Sequence, residues 1–206
     1  DVARQSDVDV EFETEGTDVR LDRSVIDRVS DPLVHLVRNA VDHGIESPDE
    51  RRAAGKDPTG TVRLRAERRR QEVVVEISDD GRGIDVDAVR AKAVEDGHLT
   101  YDEAEALADE AVYELLFRSG FSTAEAVTET SGRGVGMDVV DRVLTELDGD
   151  VEIESTLGEG TTVRLTLPVN VAMAEVWIVD SGGERYAVPA DPVDGIEDAS
   201  GAVEMD

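Results

Sequence analysis

The 206-residue chain contains no cysteine. Disulfides and thiolate metal centres are therefore excluded, and a reducing compartment suits the composition. Aromatics are scarce, with three Phe, three Tyr and one Trp, so any core must be built from aliphatic residues, Val above all. No apolar run approaches the roughly 18 residues needed to cross a bilayer, and the first residues carry neither a basic nor an apolar leader pattern. The expectation is a soluble, cytoplasmic protein with no direct membrane insertion. Lysine is nearly missing: Lys56 and Lys92 are two among 21 basic residues. Against these stand 49 Asp and Glu, for a formal charge of -28. The acidic residues are spread along the chain, which argues against nucleic-acid binding. Such self-repulsion calls for screening and points to a halophilic host. What is present is a 39% hydrophobic content, enough for one domain of about 150 to 170 residues plus a fragment.

Hydrophobic periodicity orders the chain. Val8 to Phe12 and Val19 to Leu21 alternate on either side of Glu15-Gly16, which predicts a hairpin within residues 1–22. Apolar Val29, Leu33, Leu36, Val37, Ala40 and Val41 recur at the spacing of one buried helix face. That helix begins near Ser24, restarts or bends at Ser30-Asp31-Pro32, and stops at Gly44. A polar loop from Ser47 to Gly60 holds a short helix at residues 49–54. Strands are predicted at 61–67 and 72–78, the second apolar enough to be central. Helices follow at 85–95, 102–107, 109–117 and 135–147. Residues 118–134 lack any period and read as a mobile loop. Strands at 151–155 and 162–167 form a hairpin about Leu157-Gly158-Glu159-Gly160. Segregated helices and strands favour an α/β two-layer sandwich with a mixed β-sheet and helices on one face. Past Pro168, residues 172–179 and 184–188 make another hairpin, too short to be stable alone, the expected opening of a small β domain.

Several stretches carry chemistry. His35, Asn39 and Asp42 or His43 fall one turn apart beside the apolar stripe, as a pocket lining or as a solvated polar face. Asp79-Asp80-Gly81-Arg82-Gly83 closes the central strand. Its alternate glycines let backbone approach a flat ring, and its carboxylate can accept from an exocyclic amine; taken alone, the motif is weak and reads first as a simple strand-to-helix turn. Gly132, Gly134 and Gly136 precede a helix, where backbone N–H groups favour an anion. Their spacing is no dinucleotide fingerprint, and Gly55-Lys56-Asp57 is no P-loop. Phe117 and Phe121 serve as lid anchors or as core. Gly160-Thr161-Thr162 offers a ligand-facing hydroxyl pair or merely ends a turn.

In order and spacing these stretches resemble the nucleotide-binding boxes of the GHKL superfamily of ATPases and kinases, most closely the CheA-type chemotaxis histidine kinases. His35-Leu-Val-Arg-Asn39-Ala-Val-Asp42-His43-Gly44-Ile-Glu is similar to the N box, and Asp79-Asp-Gly-Arg-Gly-Ile84 to the first glycine box. Leu116-Phe117-Arg-Ser-Gly-Phe121-Ser-Thr resembles the F box, and Gly132-Arg-Gly-Val-Gly-Met137 the second glycine box. The resemblance covers nearly the whole chain. It implies the Bergerat ATP-binding fold for residues 23–167, strands leaving the dimerisation region for 1–22, and a truncated start of a receptor-coupling, CheW-like domain for 168–206. ATP and Mg2+ are the implied cofactors. By this resemblance Asp79 would accept the adenine amine, with Gly81, Gly83, Ile84 and Met137 shaping the purine slot. Asn39 would supply one oxygen to Mg2+, and Asp42, His43 and Lys92 would support ribose, phosphates or metal-bound water. Gly132, Gly134 and Gly136 would close over the phosphates as ATP orders the lid, and Phe121, Ser122, Val135, Thr161 and Thr162 would join the nucleotide-binding set.

His35 separates the possible functions. The ATP-hydrolysing branches carry a water-activating Glu at its position; His, as in CheA-type kinases, implies a general base or positioning group for an incoming histidine, or a pocket histidine that only hydrogen-bonds. Ala88 and Ala124 stand where relatives can carry a phosphate-side Lys, which shifts that load to Lys92, Arg90 or Arg118. The implied function is the ATP-binding core of a two-component histidine autokinase, transferring the γ-phosphoryl group to a histidine on a separate phosphotransfer domain. Neither His35, His43 nor His98 is expected to be the acceptor. Implied partners are that domain in trans, response regulators through it, a coupling protein and chemoreceptors through the C-terminal β domain, and a second copy in a full-length homodimer. Such partners would bring it to membrane receptor arrays. Two other classes remain: an ATP-driven conformational clamp, which would release phosphate to water, and an adaptor-like module around Trp177 and Tyr186, which would not bind Mg·ATP.

Overall fold

A computed structural model describes residues 8–118, 121, 137–169, 176–181 and 184–189. The chain divides into two compact units, Asp1–Val171 and Ala172–Asp206. The first is built on five strands, β1 (Val10–Glu15), β2 (Gly60–Arg69), β3 (Glu72–Asp79), β4 (Asp150–Thr156) and β5 (Gly160–Pro168). Their spatial order is β1-β2-β3-β5-β4. β1 runs parallel to β2 and the other pairings are antiparallel, which gives the expected mixed sheet with β3 central.

The N-terminal hairpin does not form. β1 pairs with β2, Val10 opposite Gly60 and Glu15 opposite Arg65, while Val19 and Leu21 pack irregularly against the core. Parallel strands need a crossover connection, and helix α1 (Arg23–Asn39) supplies it. Asp22 caps α1 by accepting the Ser24 N–H at 2.8 Å, so the chain turns into a helix where a returning strand was predicted. Nor does Pro32 restart the helix. It lies inside α1, forgoing the bond its missing N–H would make to the carbonyl of Arg28. Val25, Val29, Pro32 and Leu36 form one buried face, and packing on the sheet carries the helix through the gap. α1 then passes into a single π turn, Ala40–Gly44, where the Ile45 N–H donates to the Ala40 carbonyl at 2.9 Å.

Helices α2 (Pro48–Ala53), α3 (Val86–Glu95), α4 (Tyr101–Ala106), α5 (Asp109–Glu114, followed by a 3-10 turn at Leu115–Phe117) and α6 (Met137–Glu146) complete the unit. Successive strand residues alternate between faces. One face presents Val73, Val75, Ile77, Leu165 and Leu167 to α1 and α6, forming the main core with Val25, Leu36, Val140 and Leu144. The other face is charged. Arg164 on β5 reaches Glu76 on β3 at 2.9 Å and Glu154 on β4 at 3.1 Å, and Arg63 on β2 pairs with Glu13 on β1 at 2.7 Å. A smaller apolar cluster joins Val89, Ala93, Val112, Leu115 and Phe121. In the second unit, β6 (Val176–Ser181) and β7 (Glu184–Pro189) pair antiparallel.

Candidate functional site

β3 delivers Asp79 to the end of the helix-covered face, opposite Thr161 of β5. The Gly81 N–H donates to Asp79 Oδ1 at 2.9 Å, and the Thr161 N–H bonds the same carboxylate. Burial dominates over these bonds and, with Asp80 and Glu46 adding negative potential, raises the Asp79 pKa from 3.8 to about 6. At neutral pH the group is an ionised acceptor held where little water reaches it, a chemistry suited to an amine edge. Glycine makes the close approach possible. A Cβ on Gly44 would lie 3.2 Å from the Asp79 carboxylate, and one on Gly81 would lie 2.1 Å from the Gly44 carbonyl oxygen.

Behind this turn sits a charge network that spacing and periodicity do not reveal. Arg51, 1% exposed, donates from Nη1 to Glu46 Oε2 at 3.1 Å and from Nη2 to Asp80 Oδ2 at 2.8 Å. Lys56 Nζ donates to Glu46 Oε1 at 2.8 Å, to the Asp80 carbonyl at 2.9 Å and to the Gly81 carbonyl at 2.6 Å. The Thr61 N–H donates to Asp80 Oδ1 at 2.8 Å. Burial alone would raise the Glu46 pKa, but hydrogen bonds from Lys56 and Arg51 hold it below the ordinary carboxylate value. The one cue in the sequence was the rarity of lysine.

At the other end of the π turn, the Asn39 amide nitrogen lies 3.1 Å from His35 Nε2 and donates to Met137 Sδ at 3.4 Å. α1 and the start of α6 thus meet at the residue pair singled out in sequence. Burial, with the charges of Arg38 and His43, lowers the His35 pKa, against a smaller opposing effect of Asp138. A neutral ring that accepts at Nε2 carries its proton on Nδ1. Asp42 and His43 are exposed on the turn between the two ends.

The remaining candidates divide. The Ile84 N–H donates to Ser155 Oγ at 2.9 Å, and that hydroxyl also meets Thr161 Oγ1 at 3.0 Å. Tyr113 on α5 donates to the Ser155 carbonyl at 3.0 Å, tying α5 to the strand end beside Thr161. Gly83 takes φ +69° beside the Thr156 carbonyl. Thr162 requires a correction: alternation places it on the opposite face from Thr161, opposite Ser78 and Glu154. There it lines a polar recess of about 390 Å³ with Arg63, Glu76 and Arg164, across the sheet from Asp79. Lys92 pairs with Asp96 at 2.9 Å and Glu95 at 3.2 Å, and Arg90 with Asp109 at 2.6 Å. Phe121 is buried in the smaller cluster with its ring 5.7 Å from that of His98, so His98 is packed rather than isolated. Ser122, Ala124, Gly132, Gly134, Val135 and Gly136 lie outside the described residues.

Residues 28–171 match the family described as histidine kinase-, DNA gyrase B-, and HSP90-like ATPase. The chain belongs to this family. Its two-layer mixed sheet is the ATPase-family fold expected from the sequence. Among its relatives, the chain is 53% identical to a chemotaxis protein CheA of Halobacterium salinarum, over 95% of this chain and 29% of that protein. It is 44% identical to the chemotaxis protein CheA of Salmonella typhimurium, over 94% of this chain and 28% of that protein. The chain therefore spans less than a third of the length of these relatives. A solved catalytic domain of the histidine kinase ThkA, in a nucleotide-free form, is 20% identical with a TM-score of 0.46, covering 81% of this chain and 82% of that one.

Proposed function

We propose that this chain is the ATP-binding catalytic core of a CheA-type histidine autokinase, which transfers the γ-phosphoryl group of Mg·ATP to a histidine on a separate phosphotransfer domain. One observation carries the reading: a single π turn joins an adenine-reading end, Asp79 with Gly44, Gly81 and Thr161, to a phosphate end, Asn39 with His35 and Met137. Asp79 accepts the exocyclic amine, Ile84 and Met137 border the base, and Gly81 and Gly83 admit it. Ser122, Gly132, Gly134, Val135 and Gly136, outside the described residues, are assigned to the phosphate side by the resemblance of their motifs alone, and Phe121 anchors that segment in the smaller apolar cluster.

Asn39 fits one contact to Mg2+. Its amide nitrogen is committed to His35 and Met137, which leaves Oδ1 for a hard cation. Among the described residues no group of three or more His, Cys, Asp or Glu could hold a metal alone. The ion would keep phosphate oxygens and waters as ligands, the mode Mg2+ favours, and would neutralise phosphate charge. Asp42 and His43 stand beside it for ribose or metal-bound water, and Lys92 is held in reserve by its ion pairs. His35, its pKa lowered by burial, receives the proton of the incoming imidazole at Nε2 once the Asn39 amide releases that nitrogen, or orients that ring.

The similarity to CheA proteins supports the wider setting: residues 1–22 leaving a dimerisation region, residues 168–206 opening a CheW-like coupling domain, response regulators downstream, receptor arrays as the location and a saline cytoplasm as the solvent. Mixing the chain with a matching phosphoacceptor domain and labelled ATP in molar KCl should move label onto that domain. Nucleotide bound without transfer would overturn the kinase reading, and rapid phosphate release to water would favour the clamp.

A further inference from the structure

We infer that Lys56, backed by Arg51 and Glu46, is a positioning residue for purine recognition, one that fixes how the Asp79 carboxylate faces the base. This rests on the nucleotide reading above. In a trans peptide the C=O and N–H point in opposite directions within one plane. The Asp80 carbonyl points at Lys56 Nζ and Arg51 Nη1, and across the same plane the Gly81 N–H points at Asp79 Oδ1. In the next plane the Gly81 carbonyl points at Lys56, and across it the Arg82 N–H donates to the Gly44 carbonyl at 2.8 Å. Both peptide groups are thus held by a cation on one side and donate on the other, to Asp79 and to Gly44.

Arg51 and Lys56 do not duplicate one another. The guanidinium bonds Glu46 and the carboxylate and carbonyl of Asp80, and its remaining donors go to the carbonyls of Asp57 and Thr59. Among the described residues, Lys56 is the side chain that reaches past Asp80 to Gly81. All three ammonium protons have acceptors: Glu46, Asp80 and Gly81. Glu46 ties both cations together, so the pair acts as one rigid brace. Without Lys56 the Gly81 carbonyl loses its anchor and the Asp80 carbonyl keeps only Arg51, which also still holds the Asp80 side chain. The Gly81 N–H then bonds Asp79 less of the time, and the carboxylate samples rotamers that miss a 6-amino group.

The test separates this from a general loss of stability. Calorimetric titration of the wild-type chain and of Lys56→Met with Mg·ATP and Mg·ITP, in molar KCl, compares a purine bearing the 6-amino group with one bearing a 6-oxo group. The wild type should prefer ATP, and Lys56→Met should narrow that preference by about tenfold, the worth of one well-aligned hydrogen bond, with ITP affinity little changed. Hydrogen exchange at the Gly81 amide of the nucleotide-free chain should speed up in the variant, while the Val75 amide in the core keeps its rate. Equal weakening toward both nucleotides, or an unaltered Gly81 rate, would overturn the inference. If the wild type bound neither nucleotide, the functional reading would fail on its own, and the Gly81 exchange rate would still decide the role of Lys56.

Discussion

Replacing Asp79 with asparagine should stabilise the fold while destroying the site. The carboxyl ionises near 3.8 in an unfolded chain and near 6 in the folded one. Between those values the folded state binds more protons, so stability falls as pH rises through the window and the full penalty is present above it. The displacement corresponds to about 3 kcal/mol at pH 7 and to about 1 kcal/mol at pH 4.5. Asparagine keeps an oxygen for the Gly81 N–H and removes the buried charge, so Asp79→Asn should gain stability in that pH-dependent pattern. In a unit of this size the melting temperature shifts by roughly 2–4 °C per kcal/mol. Once the amide oxygen faces the Gly81 donor, its NH2 takes the other carboxylate position and faces the purine amine. Nucleotide affinity should then fall by roughly a hundredfold, the loss of a charge-assisted bond plus an opposed donor. Urea denaturation of both proteins from pH 4.5 to 7.5 in constant molar KCl, with calorimetric ATP titration at pH 7.5, checks both parts. A stability difference that does not change with pH, or a variant that still binds ATP normally, would refute the reasoning.

Gly81→Ala should drive a methyl group into the Gly44 carbonyl, which lies 2.1 Å from the ideal Cβ position. The expected cost is about 1–3 kcal/mol, read from the urea midpoint, together with loss of nucleotide binding. His35→Gln should leave ATP affinity intact and abolish labelling of an added phosphoacceptor domain; by NMR the wild-type ring should titrate below the ordinary 6.5. The charge of -28 predicts that the chain unfolds far more readily in millimolar than in molar KCl, since screening shortens from about 30 Å at 0.01 M to about 3 Å at 1 M. Equal thermal midpoints at the two concentrations would remove the argument for a saline host.

The apolar periodicity of α1 and the Val-rich run of β3 were legible because they obey local rules: one helix face, one central strand. So were Asp79 and Asn39, which end β3 and α1, and His35 one turn before Asn39. What escaped depended on distant partners. β1 alternates like a hairpin arm, yet pairs with a strand some fifty residues on, a choice made by the crossover through α1 and invisible in the local pattern. Pro32 carries a helix-start signal that burial of its face overrides. Arg51 looks like any polar loop residue, and its burial follows from Glu46 and Asp80 converging from separate segments. Thr161 and Thr162 read alike in sequence, and strand pairing alone puts one beside Asp79 and the other behind the sheet.

The most direct measurement is a crystal structure of the chain grown with Mg2+ and a non-hydrolysable ATP analogue. The 6-amino group should be hydrogen-bonded to Asp79, the base should lie between Gly81 and Met137, and the metal should sit on Asn39 Oδ1. A base seated elsewhere, or no nucleotide between Asp79 and Asn39 at saturating concentration, would contradict this placement.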